Sequence, residues 1–164
     1  MFQKEGLPRR AAGTQNNLHI GLANGEEREQ KMEKIMVDYH ALAEFRYQLR
    51  RFLHFSEQKA RSIGLEPQQH QLLLAVKGMP KNTKATIGEL AERLQLQHHS
   101  TVELVDRLVE RGLVERRRDD EDHRRVIVYL TDGGEEVLRQ LSETHLTELR
   151  TIGPDLVRVL STLI

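Results

Sequence analysis

The chain has 164 residues, a formal net charge of zero, 38% hydrophobic and 30% charged residues, and neither Cys nor Trp. That length suits one globular domain with a real core, built mainly from Leu, Val and Ile because aromatics make up only 4%. The missing cysteines exclude disulfides, thiolate metal sites and redox thiols. Zero net charge excludes a simple polycation that coats nucleic acid, and no apolar run approaches the roughly 18 residues that a bilayer span requires.

Residues 1–25 are rich in Gly, Asn, Gln and Ala and show no period, so a flexible arm is expected there, with Lys4, Arg9 and Arg10 as its basic residues. No apolar stretch follows those basic residues, so no secretory signal is expected. A cytoplasmic location and the absence of a membrane partner fit these features.

From Glu26 the pattern changes. Ile35, Tyr39, Leu42, Leu49, Phe52, Leu53, Ala60 and Ile63 recur at three- and four-residue steps, predicting one long helix that ends at Gly64. A helix of that length is hard to cover inside a small domain, so region 26–64 is expected to pack against a second subunit. Pro67 sits at a favoured first-turn position for a second helix, whose buried face is Leu72, Leu73, Ala75 and Val76. Gly78, Met79 and Pro80 end it.

Thr86 and Glu89 have the spacing of a capping box that opens a short helix carrying Leu90, Ala91 and Leu94. Another helix follows to Arg111, with Val102, Val105, Leu108 and Val109 expected inward and Gly112 as its left-handed stop. Leu113–Arg118 and Arg125–Leu130 then read as two strands around the charged run Asp119–Arg124, a β-hairpin. Thr131 caps a helix with Asp132, Glu135 and Glu136 in its first turn, where the dipole favours acids. A final helix is expected after Gly153 and Pro154, bearing Leu156, Val159, Leu160 and Leu163.

Two helices joined by a tight turn, the second followed at once by a hairpin, form the winged helix-turn-helix plan. The expected fold is therefore mainly α (α+β): a two-stranded wing, a DNA-binding domain over 65–131, and helical dimerisation regions over 26–64 and 132–164. The second helix of such a pair has the width to enter a major groove about 12 Å across, and the hairpin tip reaches sideways.

The residues of this module resemble the MarR family of bacterial regulators. ELAERL, HHSTVELVDRLVERGLVERR and DDEDHRRVIVYLT carry the likeness, most specifically Asp122 and Arg124 followed by Val128, Leu130 and Thr131, which match the family's wing signature. The resemblance implies a sequence-specific regulator, in the first instance a repressor, that binds double-stranded DNA as a homodimer on a pseudo-palindromic operator. It implies a recognition helix over Gln97–Arg111 with His98, His99, Ser100 and Thr101 near base edges, Glu103 beside them and Arg107 at a phosphate. Arg124 would enter the minor groove, oriented by Asp122, with Arg118 and Arg125 as further wing contacts.

Rival readings attach to several of these residues. Ser100 and Glu103 also have the spacing of a capping box, which would occupy the Ser100 hydroxyl. Glu103 is an acid on the helix that should face DNA, and it could accept from a cytosine amino group. From Gln97 to Arg125 there are seven Arg against eight Asp and Glu, so affinity would depend on arrangement, with a modest salt slope.

The family resemblance also implies a small aromatic or phenolic effector, for which Tyr39, Arg46, Tyr47 and His70 are the candidate residues. No cofactor is expected. The eight His form no metal-binding spacing, so no metal site is expected either. No nucleophile elbow or Gly-rich phosphate loop suggests an enzyme. The alternative is a winged-helix module that binds protein without binding DNA.

Overall fold

The computed structural model describes residues 37–164. The expected arm with Lys4, Arg9 and Arg10, and Ile35 of the expected first helix, lie outside the described residues.

Helix α1 spans Tyr39–Ser62. Asp38 is its N-cap, its carboxylate accepting from the Ala41 N–H at 2.9 Å. The long apolar stripe packs inward only in part, at Ala60 and the half-buried Phe52. Tyr39, Leu42, Leu49, Leu53 and Ile63 are exposed, whereas Ala41, Gln48 and Ala60 are buried. Helix α2 spans Pro67–Lys77 with Pro67 in its first turn, where the missing N–H costs no helical bond.

Helix α3 spans Ile87–Leu94 and α4 spans His98–Glu110. Only half of the expected Thr86 box forms: Thr86 Oγ1 accepts from the Glu89 N–H at 3.3 Å, while the Thr86 N–H donates to the Lys84 carbonyl. Helix α4 ends in a paired closure. The Gly112 N–H donates to the Val109 carbonyl and the Leu113 N–H to the Leu108 carbonyl, both at 2.9 Å. Gly112 takes φ +67°, which a residue with a Cβ adopts only with strain. Val109, expected inward, is 39% exposed; Leu104 occupies the buried position instead.

Strands β1 (Val114–Arg118) and β2 (Val126–Leu130) pair antiparallel, Val114 opposite Leu130 and Arg118 opposite Val126. Thr86 bridges Ile127 on the other side of β2, and the Val128 N–H donates to the Ala85 carbonyl at 2.9 Å. The segment before α3 is thereby stitched to the wing.

Helix α5 runs unbroken over Asp132–Leu163, where two helices were expected. Pro154 lies inside it. A proline normally forces its predecessor out of the helical region by a clash with that residue's Cβ, but Gly153 has no Cβ. Ile152 and Val159, buried on either side of the proline, hold the helix through the missing bond. Thr131 caps α5 as expected, accepting from the Gly134 N–H at 3.1 Å while its hydroxyl donates to the Gly112 carbonyl at 2.7 Å.

One core joins these pieces. Leu65, Leu72 and Leu73 meet Leu90, Leu104, Val105 and Leu108, with Val114 and Val128 from the wing and Leu138 and Leu141 from α5. Each such side chain contributes about 1.5–3 kcal/mol on burial. Helix α1 lies along α5, while α3 and α4 pack on α2 and the wing packs on α2 and α4.

Candidate nucleic-acid interface

The turn between α3 and α4 is tight because Gln95 adopts the left-handed conformation at φ +54° and the Leu96 N–H donates to the Ala91 carbonyl at 2.9 Å. Gln97 is the N-cap of α4. The next two side chains, His98 and His99, are exposed on the first turn. Ser100 is half-buried within the helix and does not cap it, so the expected box with Glu103 does not form.

Thr101 corrects the expectation placed on it. Its side chain is fully buried, and its hydroxyl donates back to the Gln97 carbonyl at 3.1 Å. With its side chain enclosed in the core and its hydroxyl spent on its own helix, Thr101 has nothing to offer a base edge. Glu103 and Arg107 stand on the open face, each side chain 64% exposed, and pair with one another at 3.6 Å. The acid is therefore partly neutralised by its own helix.

Arg116 ties the wing to α4, pairing with Asp106 and donating to the Val102 carbonyl at 3.2 Å. Arg117 pairs with Glu115, and its guanidinium lies over the Tyr129 ring, 5.0 Å from the centroid. Arg118 is exposed at the end of β1 and has no ion pair among the described residues.

At the wing tip Asp122 holds Arg124 through three hydrogen bonds. Its Oδ1 accepts from the Arg124 backbone N–H at 3.1 Å and from Nε at 3.0 Å, and its Oδ2 accepts from a terminal nitrogen at 3.2 Å. Arg125 adds a contact to the same carboxylate at 3.4 Å. The Arg124 bonds hold the Asp122 carboxyl below the usual carboxylate range. The Arg124 side chain is nonetheless 89% exposed, oriented but not covered.

The crowd of wing acids is resolved in the same way. Asp119 is buried, 2% exposed, and accepts from Lys84 Nζ at 2.8 Å and from the Glu121 N–H at 3.0 Å. Lys84 also reaches Glu121 at 2.6 Å. Nothing in the sequence pairs Lys84 with Asp119, because a contact across 35 positions leaves no local spacing signal. Arg111 was also missed: it bonds the Gly64 carbonyl at 2.7 Å and Gln69 Oε1 at 3.1 Å, joining the end of α4 to the α1–α2 junction.

These elements enclose a cleft of about 860 Å³ between the start of α3, the first turn of α4 and the wing. Its charged lining is Lys84, Arg124 and Arg125 against Glu89 and Glu121, with His98 at its edge. Cations outnumber carboxylates there although the module as a whole is not basic.

The expected effector residues do not come together. Tyr39, Arg46 and Tyr47 are exposed on α1, while His70 is buried on α2. None of the four lines the cleft at the wing or four other cavities beside α1, α2, α4 and α5.

Residues 63–125 match the family model described as MarR family. That segment, from the end of α1 to the wing tip, is similar to the MarR family. A 56-residue stretch is 38% identical to YsmB of Bacillus subtilis strain 168, described as an uncharacterized HTH-type transcriptional regulator. That stretch is 34% of this chain and 38% of YsmB, so the match spans little more than a third of the relative's length. The MarR family transcription regulator SP03579 is similar in structure, with a TM-score of 0.61, 22% identity, and coverage of 81% of this chain and 82% of that one. MepR, a transcription regulator of the Staphylococcus aureus multidrug efflux pump MepA, gives a TM-score of 0.62 at 19% identity, over 78% of this chain and all of MepR. A MepR–DNA complex gives 0.55 at 20% identity, over 73% and 94%. The solved structures share the winged-helix fold with this chain, and the names of these relatives describe transcriptional regulators, not enzymes.

Proposed function

We propose that this protein is a regulator of the MarR type that binds double-stranded DNA as a homodimer and represses transcription from a pseudo-palindromic operator. The observation that carries the reading is the pairing of an exposed first turn of α4 with an 89% exposed, fully oriented Arg124 across a cleft richer in cations than in acids. His98, His99, Ser100 and Glu103 would face base edges, Arg107 and Arg118 phosphates, and Arg124 and Arg125 the adjoining minor groove. The similar MepR has been solved with DNA, which supports the same use of the fold here.

A single recognition helix reads too few base pairs to be selective, whereas a two-fold pair about 34–36 Å apart reads two half-sites. Leu42, Leu49 and Leu53 on α1 and Leu146, Val157 and Leu160 on α5 are exposed in the single chain. Large apolar side chains left open along both helices favour a second copy that covers them. In the described residues no helix is long and apolar enough to cross a membrane, so these faces are not spans.

Electrophoretic shift with the promoter of the protein's own operon, combined with light scattering, tests the reading. A retarded dimer complex that weakens as salt rises supports it. No shift with any duplex at low salt overturns it in favour of a module that binds protein.

A further inference from the structure

We propose that Lys84 sets the position of the wing, and with it Arg124, by anchoring Asp119 and Glu121 to the segment that precedes α3. The inference rests on the DNA-binding reading and names a positioning residue within that same site.

The anchor is rigid at its root. Ala85 accepts from the Val128 N–H, Thr86 bridges Ile127, and Thr86 caps α3, so the backbone around Lys84 is fixed to both β2 and the helix-turn-helix. From there the ammonium crosses to the far end of the wing loop, 2.8 Å from Asp119 and 2.6 Å from Glu121.

Asp119 is the knot of that loop. Its N–H donates to the Arg125 carbonyl at 3.0 Å, its carboxylate accepts from the Glu121 N–H, and the Arg125 N–H closes the turn on the Asp122 carbonyl at 2.8 Å. Asp122 then orients Arg124. A carboxylate shielded from water persists only with a charged or multiply hydrogen-bonded partner. Lys84 is the one side-chain cation that hydrogen-bonds Asp119 among the described residues. Consistent with that dependence, the Lys84 bond holds the Asp119 carboxyl below its ordinary range. The path from Lys84 to the wing tip thus runs through Asp119, the Arg125 backbone and Asp122.

A lysine in this place could instead touch phosphate directly, and the two roles separate cleanly. Asp119→Asn removes a negative charge from the side that faces DNA. Plain electrostatics then requires tighter binding, whereas an anchor that has lost its acceptor requires weaker binding.

The experiment uses the full chain and a labelled duplex selected by the wild-type protein from a random pool, read by fluorescence anisotropy. Lys84→Met and Asp119→Asn should each weaken binding about tenfold. Lys84→Met in an Arg124→Ala background should weaken it by no more than about twofold beyond Arg124→Ala alone, because a wing without its arginine no longer needs placing. In the free protein, amide hydrogen exchange at Asp119, Glu121 and Arg125 should accelerate in both single variants while the amides of α4 stay protected. Tighter binding by Asp119→Asn, additive losses with Arg124→Ala, or unchanged exchange in the loop would each overturn the proposal. If Lys84→Met fails to fold, Asp119→Asn tests the same pair from its other side. If the wild type selects no duplex, the DNA reading fails, and loop exchange still decides whether Lys84 anchors the wing.

Discussion

His70 and His145 lie face to face, their ring centroids 4.8 Å apart and their planes within 6°. Phe52 and Phe55 of α1 close the stack edge-on, at 6.0 and 5.9 Å from His145. The His145 Nδ1–H donates to the Leu141 carbonyl at 2.6 Å, which leaves Nε2 buried without a partner among the described residues. A second positive charge has no place in this sandwich.

That arrangement makes stability depend on pH. Burial, and then the charge of His145, push His70 down to about 4. The unfolded chain takes up the same proton near 6.5, so between about 6.5 and 4 it binds more protons than the folded chain does. Stability should fall as pH drops through that window, by up to about 3 kcal/mol from this group, and be fully present above it. Urea unfolding at pH 7 and pH 4.5 measures the loss. His70→Leu should shrink it, and an equal loss in that variant would show that the cost arises elsewhere.

Arg124→Ala should weaken duplex binding by tenfold or more without lowering the melting temperature by more than about 1 °C, because a side chain so exposed contributes little to folding. Anisotropy titration and a thermal melt on the same sample check both halves. A binding loss accompanied by a broken dimer in light scattering would assign Arg124 a structural role.

Thr101→Val should leave DNA affinity within about twofold of wild type. The hydroxyl is buried and bonded to its own helix, so the substitution loses one internal hydrogen bond worth about 1 kcal/mol. An affinity loss on the scale of Arg124→Ala would return Thr101 to the contact surface.

The two glycines that open α5 should answer oppositely to alanine. A Cβ at Gly134 would stand 1.9 Å from the Leu113 carbonyl oxygen, so backbone must move, and a loss of about 2–3 kcal/mol is expected. At Gly133 the nearest atoms are 3.7 Å and 3.8 Å away, and Gly133→Ala should stabilise by up to about 1 kcal/mol through helix propensity alone. Chemical denaturation of the pair checks the contrast.

The local signals in this chain were legible where the responsible contact is short in sequence. Pro67, Thr131 and Gly112 each do what their residue type at that position predicts, and Asp122 meets Arg124 two positions on. Failures came where local preference and tertiary packing disagree. Gly153 and Pro154 read as a break, yet Ile152 and Val159 carry the helix through. The apolar stripe on α1 was real, but its exposed side and its buried side could not be told apart from period alone. Lys84, Asp119 and Arg111 act across 35 to 47 positions, and only the folded chain places such partners together. The four proposed effector residues stand apart on α1 and α2, and no local pattern in the sequence fixes how those two surfaces face one another.

Thr131 alone separates β2 from α5, and its hydroxyl is bonded on both sides of the junction. Wing and helix therefore move as one lever with a very short arm and a very long one. With 32 residues α5 extends about 48 Å, so one degree of tilt at the joint displaces its far end by about 0.8 Å. Any rearrangement at the apolar end of α5 is thereby geared down on its way to the wing. A shift of about 1 Å among the terminal leucines corresponds to little more than one degree at the joint.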